Sequence, residues 1–158
     1  MSRDISKFEK PEMAEAFVTE CNRIGIGVIF TDIDRTYVEQ TALFAQGREP
    51  LEFVNGLRKK AGLGQITLKE NMRKVTWTMN SKHIVNLDDE RLDNNKSRAL
   101  DFAVLKGFNP NEITWDVKAD VQGDGIPDYR QAGEIAESLG FKWGGRFKNP
   151  DWPHIELA

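Results

Sequence analysis

Ala99-Leu100-Asp101-Phe102-Ala103-Val104-Leu105 sets bulky apolar residues against Ala, Asp and Ala with a period of two, the pattern of a β-strand. Leu100, Phe102 and Val104 fall on one face, and Asp101 turns to the other. His154-Ile155-Glu156-Leu157 repeats the pattern, with His154 and Glu156 on one side and Ile155 and Leu157 on the other. Working outward, Pro11 opens a helix over residues 11–24 that aligns Met13, Phe17, Cys21 and Ile24 and stops at Gly25. A short buried strand is expected over 26–31. Further helices are expected from Tyr37 to Gln46, before Gly47, and from Tyr129 to Leu139, before Gly140. Lys74 to Met79 reads as another strand, and residues 50–73 as mixed structure with loops at Gly56, Gly62 and Gly64. The expected architecture is one α+β domain over 1–158, with helices packed on a mostly antiparallel sheet.

Composition narrows the function classes. The chain has 158 residues, 39% hydrophobic and 30% charged, the balance of a globular protein with one core. No apolar run approaches a membrane span, so no membrane insertion is expected. Met1-Ser2-Arg3-Asp4 lacks the apolar stretch of a secretory signal, so no export route of its own is expected. A net charge of −3 argues against nucleic acid as the main partner. The single cysteine, Cys21, excludes an internal disulfide framework and multi-cysteine zinc, and its helical spacing marks it as a core residue. No heptad or apolar surface stripe suggests an interface, which makes a monomer the default.

The two histidines focus the search for chemistry. His83 follows the expected 74–79 strand, Asp101 projects from the next strand, and His154 opens the last one, three residues after Asp151. Two imidazoles and a carboxylate make three protein ligands and leave a fourth tetrahedral position for water, as in catalytic zinc sites. Asp151, near such a metal but not on it, is placed to move a proton from water to a leaving amine. No HExxH-type local motif is present, so spacing alone leaves open that the histidines are unrelated.

Arg35-Thr36-Tyr37-Val38-Glu39-Gln40, continuing Leu43-Phe44-Ala45-Gln46-Gly47-Arg48, resembles the R-x-x-x-E-Q…L-Y-x-Q-G-R signature of phage L-alanyl-D-glutamate peptidases. These endolysins belong to the VanY-like D-Ala-D-Ala metallopeptidase group of the lysostaphin and hedgehog superfamily. Val75-Thr76-Trp77 with Ser81-Lys82-His83 is similar to the group's strand leading to S-x-H. Ser97-Arg98-Ala99-Leu100-Asp101 resembles the tail of H-x-x-G-x-A-x-D. Leu139 to Gly145 and Asp151 to Glu156 resemble its L-G-x-x-W-G-G and D-x-P-H-F-E endings. The resemblance implies zinc ligands His83, Asp101 and His154, Asp151 as general base, and Arg35 and Gln40 as substrate contacts. Ser81 and Trp143 are implied to line or orient the site. For Arg35, a surface salt bridge with Asp32 or Asp34 is the alternative.

One departure and one additional motif stand out. His83 and Asp101 lie eighteen residues apart, eleven more than in the family motif, and Ser97 replaces its Gly. The acidic insertion, residues 86–96, reads as a solvated loop, with a lid or a cation site at Asp88, Asp89 and Asp93 as alternatives. Asp93 or Asp88 could also replace Asp101 as ligand. Asp120-Val121-Gln122-Gly123-Asp124-Gly125-Ile126-Pro127-Asp128 places oxygen donors at positions 1, 3, 5 and 9 of a calcium loop, with Gly at 6 and the Ile126 carbonyl at 7. Gln131 stands where a bidentate Glu is usual, which weakens binding. The alternative is an acidic turn with Asp128 capping the following helix.

The reading is a zinc metallo-endopeptidase that cuts the L-Ala–D-Glu bond of the peptidoglycan stem peptide, calcium-regulated, with no separate wall-binding domain. It would stay in the host cytoplasm until a holin-type protein permeabilises the membrane, and then act on the cell wall. The competing readings are a D-Ala-D-Ala carboxypeptidase or dipeptidase on the same fold, and a non-catalytic calcium-dependent wall-binding module.

Overall fold

A computed structural model describes residues 2–84 and 96–158. Among them are α1 (Pro11–Arg23), β1 (Val28–Asp32), α2 (Tyr37–Ala45), α3 (Leu51–Lys60), β2 (Ala99–Leu105), β3 (Ile113–Thr114), α4 (Asp128–Ser138), β4 (Phe141–Trp143) and β5 (His154–Leu157). The chain divides into two compact units, one of Met1–Asp34 with Lys96–Ala158 and one of Arg35–Asn95.

The first unit is a helix-on-sheet layer. Its strands run in the order β1-β2-β5-β4, with β3 added to the end of β2, and every pairing is antiparallel. Every residue of β2 except Asp101 is buried, because the strand has a neighbour on each side. The alternation expected from the sequence holds: Leu100, Phe102 and Val104 join the main core, together with Ile155 and Leu157 of β5. Phe17 of α1 packs against Phe30 of β1, Phe102 of β2 and Phe141 of β4, with ring centroids 6.1, 5.1 and 6.4 Å away. Tyr129 of α4 stacks on Phe102 at 5.5 Å, and its hydroxyl donates to the Thr114 carbonyl and accepts from the Val104 amide. Cys21 is wholly buried, and burial pushes its thiol up to about 12, which suits a core residue and not a reactive one.

The second unit rests on a smaller cluster of Ala45, Val54 and Ile66, with Leu51 and Leu57 packed against it. Two expectations are corrected here. Residues 51–60 are helical, not mixed: Leu51, Val54 and Leu57 share a face, and Arg58, Lys59 and Lys60 sit in the last turn, where cations suit the helix dipole. Residues 74–79 form no strand. Val75 and Trp77 are half exposed, and the Thr78 carbonyl serves the side chain of Gln40 instead of a ladder. Gly47, at φ +80°, lets α2 end directly against the backbone of Arg73 and Lys74.

In the first unit, α4 meets β4 at a close approach. A Cβ added at Gly133 would collide with the Trp143 indole, which also covers Gly145. Gly133→Ala should therefore destabilise the protein by about 1–3 kcal/mol, seen as a melting point lower by several degrees. An unchanged melting curve would mean that the indole does not sit on this helix.

Candidate active site

In the first unit, antiparallel pairing of β2 and β5 sets Asp101 opposite His154. Two residues distant in sequence thereby become neighbours, with His154 Nδ1 and Asp101 Oδ1 3.0 Å apart. Both lie on the sheet face opposite the core, because a period of two sends Ile155 and Leu157 inward. Glu156, two residues on and on the same face, brings Oε1 to 3.7 Å from His154 Nε2. The alternation of the 154–157 stretch is the sequence signal that puts Glu156 beside His154. The Phe147 ring packs 5.7 Å from the imidazole. A bulge in β1 between Phe30 and Asp32 shifts the register so that Asp32 also comes opposite Asp101.

Asp151 precedes β5 on an exposed turn. Its amide donates to the Gly144 carbonyl at 2.8 Å, and its carbonyl accepts from the His154 amide at 3.2 Å. Gly144 is required here: any side chain would run into the Asp151 carbonyl. Burial disfavours a charge on His154, but the hydrogen bonds to Asp101 and Glu156 and the charges of Asp101 and Asp151 outweigh it, and its pKa rises to about 9. This cluster of carboxylates around a part-buried imidazole attracts positive charge.

Trp143 is a structural residue. It is buried in the main core, donates from Nε1 to the Trp152 carbonyl at 2.9 Å, and packs edge-on against the Trp152 ring at 5.2 Å. Its ring fixes the 143–152 segment from behind.

In the second unit, Thr36 caps α2 by accepting from the Glu39 amide at 3.1 Å, which fixes where the helix starts after Arg35. The Arg35 amide donates to the His83 carbonyl at 2.8 Å, and Arg35 and Ile84 form a short parallel bridge. Within this unit, Arg35 and His83 are thus joined through their backbones. The Ser81 hydroxyl accepts from the His83 amide at 3.2 Å, so Ser81 shapes the backbone that carries the imidazole. His83 is buried. Gln40 is fully buried: its Oε1 accepts from Arg35 Nη1 at 2.8 Å, and its Nε2 donates to the Thr78 carbonyl at 2.6 Å and to Thr76 Oγ1 at 3.1 Å. These bonds occupy both ends of the Gln40 amide and tie it to the Arg35 guanidinium. Thr76 and Thr78 were not anticipated, and nothing in their spacing marks them.

His83 in the second unit, and Asp101 and His154 in the first, are of the residue types that serve as metal ligands. Asp120, Gln122, Asp124, Ile126 and Asp128 lie together in the turn leading into α4. Asp88, Asp89 and Asp93 of the 86–96 insertion lie outside the described residues.

A family described as D-alanyl-D-alanine carboxypeptidase matches residues 94–157. The chain is 30% identical over 145 residues to the peptidoglycan L-alanyl-D-glutamate endopeptidase CwlK of Bacillus subtilis (strain 168), covering 91% of this chain and 68% of that protein. Its fold is similar to that of the L-Ala D-Glu endopeptidase ChiX of Serratia marcescens, with a TM-score of 0.52 at 12% identity, covering 98% of this chain and 83% of the other.

The raised pKa of His154 has a consequence for stability when no metal is bound. A folded-state pKa above the ordinary 6.5 means that the interaction contributes fully below about pH 6.5 and is lost as pH rises through about 9. Chelator-treated protein should lose up to about 3 kcal/mol of stability across that window. Asp101→Asn should flatten the profile, as measured by urea unfolding at successive pH values. An equal slope in both proteins would remove Asp101 as the cause.

Proposed function

The chain belongs to the D-alanyl-D-alanine carboxypeptidase (M15) family of peptidases, and on that footing we propose that it is a zinc endopeptidase cutting the L-Ala–D-Glu bond of peptidoglycan stem peptides. The observation that carries this reading is the pairing of Asp101 with His154 beside the exposed carboxylate of Asp151, in a chain similar along most of its length to an endopeptidase of that specificity.

His83, Asp101 and His154 are the proposed ligands. Two neutral imidazoles and one carboxylate suit zinc and leave one position open, and the anionic surroundings of His154 favour a cation over an empty site. Bound zinc supplies Lewis acidity, acidifying water towards a neutral pKa and polarising an amide carbonyl. Asp151 stands outside this ligand set. Its carboxylate takes the proton of the attacking water and returns it to the leaving amine of D-Glu. Pro153 stiffens the turn between base and ligand. Arg35 binds the D-Glu carboxylate with its guanidinium, whose direction is set by Gln40. Within the second unit, Ser81 and the Arg35–His83 backbone bond fix the backbone that carries His83.

The motif resemblance to phage peptidases supports a lytic setting, in which the enzyme waits in the host cytoplasm and reaches the wall once a holin-type protein opens the membrane.

Digestion of purified peptidoglycan followed by mass analysis tests the specificity. Released peptides should begin with D-Glu, and free D-Ala without them would establish the carboxypeptidase reading instead. Asp151→Asn should lower kcat by about 10²–10⁴-fold while zinc content stays at one equivalent. An active Asp151→Asn protein would refute the base assignment.

A further inference from the structure

The turn before α4 is wound by backbone amides that donate to its own carboxylates. The Ala119 carbonyl accepts from the Asp128 amide at 2.9 Å and closes the loop. Asp120 sits at its centre: Oδ1 accepts from the amides of Gly123 and Asp124 at 2.9 and 3.1 Å, and Oδ2 from Gly125 at 2.7 Å. Asp124 Oδ1 accepts from the Ile126 amide at 3.0 Å, and its Oδ2 from the Gln122 side-chain amide at 2.7 Å. Gly123 and Gly125, at φ +77° and +86°, permit the tight winding.

Asp128 is the informative residue. It is 1% exposed, and its Oδ2 accepts from the Val121 amide at 2.8 Å, which turns the carboxylate into the loop. Its Oδ1 is buried and has no hydrogen-bond partner. A buried carboxylate oxygen without a donor carries a desolvation penalty that a bound cation would offset. Asp120 and Asp124 add their negative charge, and together with burial they raise the Asp128 pKa. As a simple helix cap the residue is poorly used: Pro127 holds the cap position, and Asp128 makes no side-chain cap bond.

We propose that this turn is a calcium site, in which Asp120, Asp124 and Asp128, the Ile126 carbonyl and the side-chain oxygens of Gln122 and Gln131 take the cation and brace the start of α4. Oxygen donors in this number and a flexible glycine turn suit calcium better than magnesium, which demands a tighter octahedron and keeps its waters. Rotation of the Gln122 amide brings its oxygen in place of the nitrogen now facing Asp124. Neutral amides at positions 3 and 12 put the affinity in the weak range, about 10⁻⁴–10⁻³ M. The brace extends beyond the loop. From Asp128 the helix runs to Gly133, which seats the Trp143 indole, and Trp143 holds the Trp152 carbonyl in the segment that ends at His154.

Calorimetric titration of the calcium-free, zinc-containing protein should show one equivalent of calcium, a melting point about 5 °C higher in 10 mM calcium, and no comparable effect of magnesium. Asp128→Asn keeps an acceptor for the Val121 amide, so it should fold and melt no lower than the parent without calcium, yet lose at least about tenfold in affinity. Asp124→Asn, at an exposed position, should weaken binding in the same direction and serves if the buried variant folds poorly. Absence of binding heat up to 10 mM calcium, or parental affinity in both variants, would overturn the site. Zinc content measured in the same samples keeps this outcome separate from the assignment of the catalytic metal.

Discussion

Pairing of β2 with β5 is the constraint on which the first unit depends. An antiparallel register that sets Asp101 opposite His154 sends Leu100, Phe102, Ile155 and Leu157 into the core by the same geometry. A slip of one residue would bury the imidazole and carboxylate and expose the apolar side chains. The apolar face thus selects the register, and the register assembles the polar pair. The chemistry on one face of the sheet is held by the hydrophobic effect on the other.

The segment after β4 carries Asp151, the proposed base. Gly133, Gly144 and Gly145 are close-approach positions, where helix, turn and indole come too near for a side chain. Their effect is to pack α4, Trp143 and the Asp151 turn as one solid body, so that an exposed carboxylate is nonetheless carried on a rigid support. In the second unit, the same economy appears in polar form. One buried glutamine joins α2 to the irregular 76–78 stretch and aims the Arg35 guanidinium. Removing Gln40 would take these bonds from Arg35, Thr76 and the Thr78 carbonyl together, which is why such a residue reads as functional in a motif while never leaving the interior.

Much of this was legible in the chain. The two alternating segments, 99–105 and 154–157, have the observed bounds because a strand covered on one face by core shows its period directly. The helices beginning at Pro11 and Tyr37 lie where proline, cap and glycine signals put them, within a residue or two. What failed did so for identifiable reasons. Gly56 suggested a loop inside α3, but it takes an ordinary helical conformation with open space around it. Val75 and Trp77 alternate as a strand would, yet among the described residues of the second unit no sheet pairs with them, and a period without a partner makes no strand.

The sequence by itself determined which residue types were available for chemistry: two imidazoles, an aspartate on a strand, a second aspartate before the last strand, and an arginine ahead of a capped helix. It also determined the face each strand residue occupies, because alternation is local. Only the tertiary structure decided that Phe147 packs against His154, that Gln40 and Trp143 lie in the interior, and that Asp128 holds a carboxylate oxygen with no donor. Those facts depend on which distant segments meet and how closely they pack. That is settled by burial and register across the whole unit, and no local pattern encodes it.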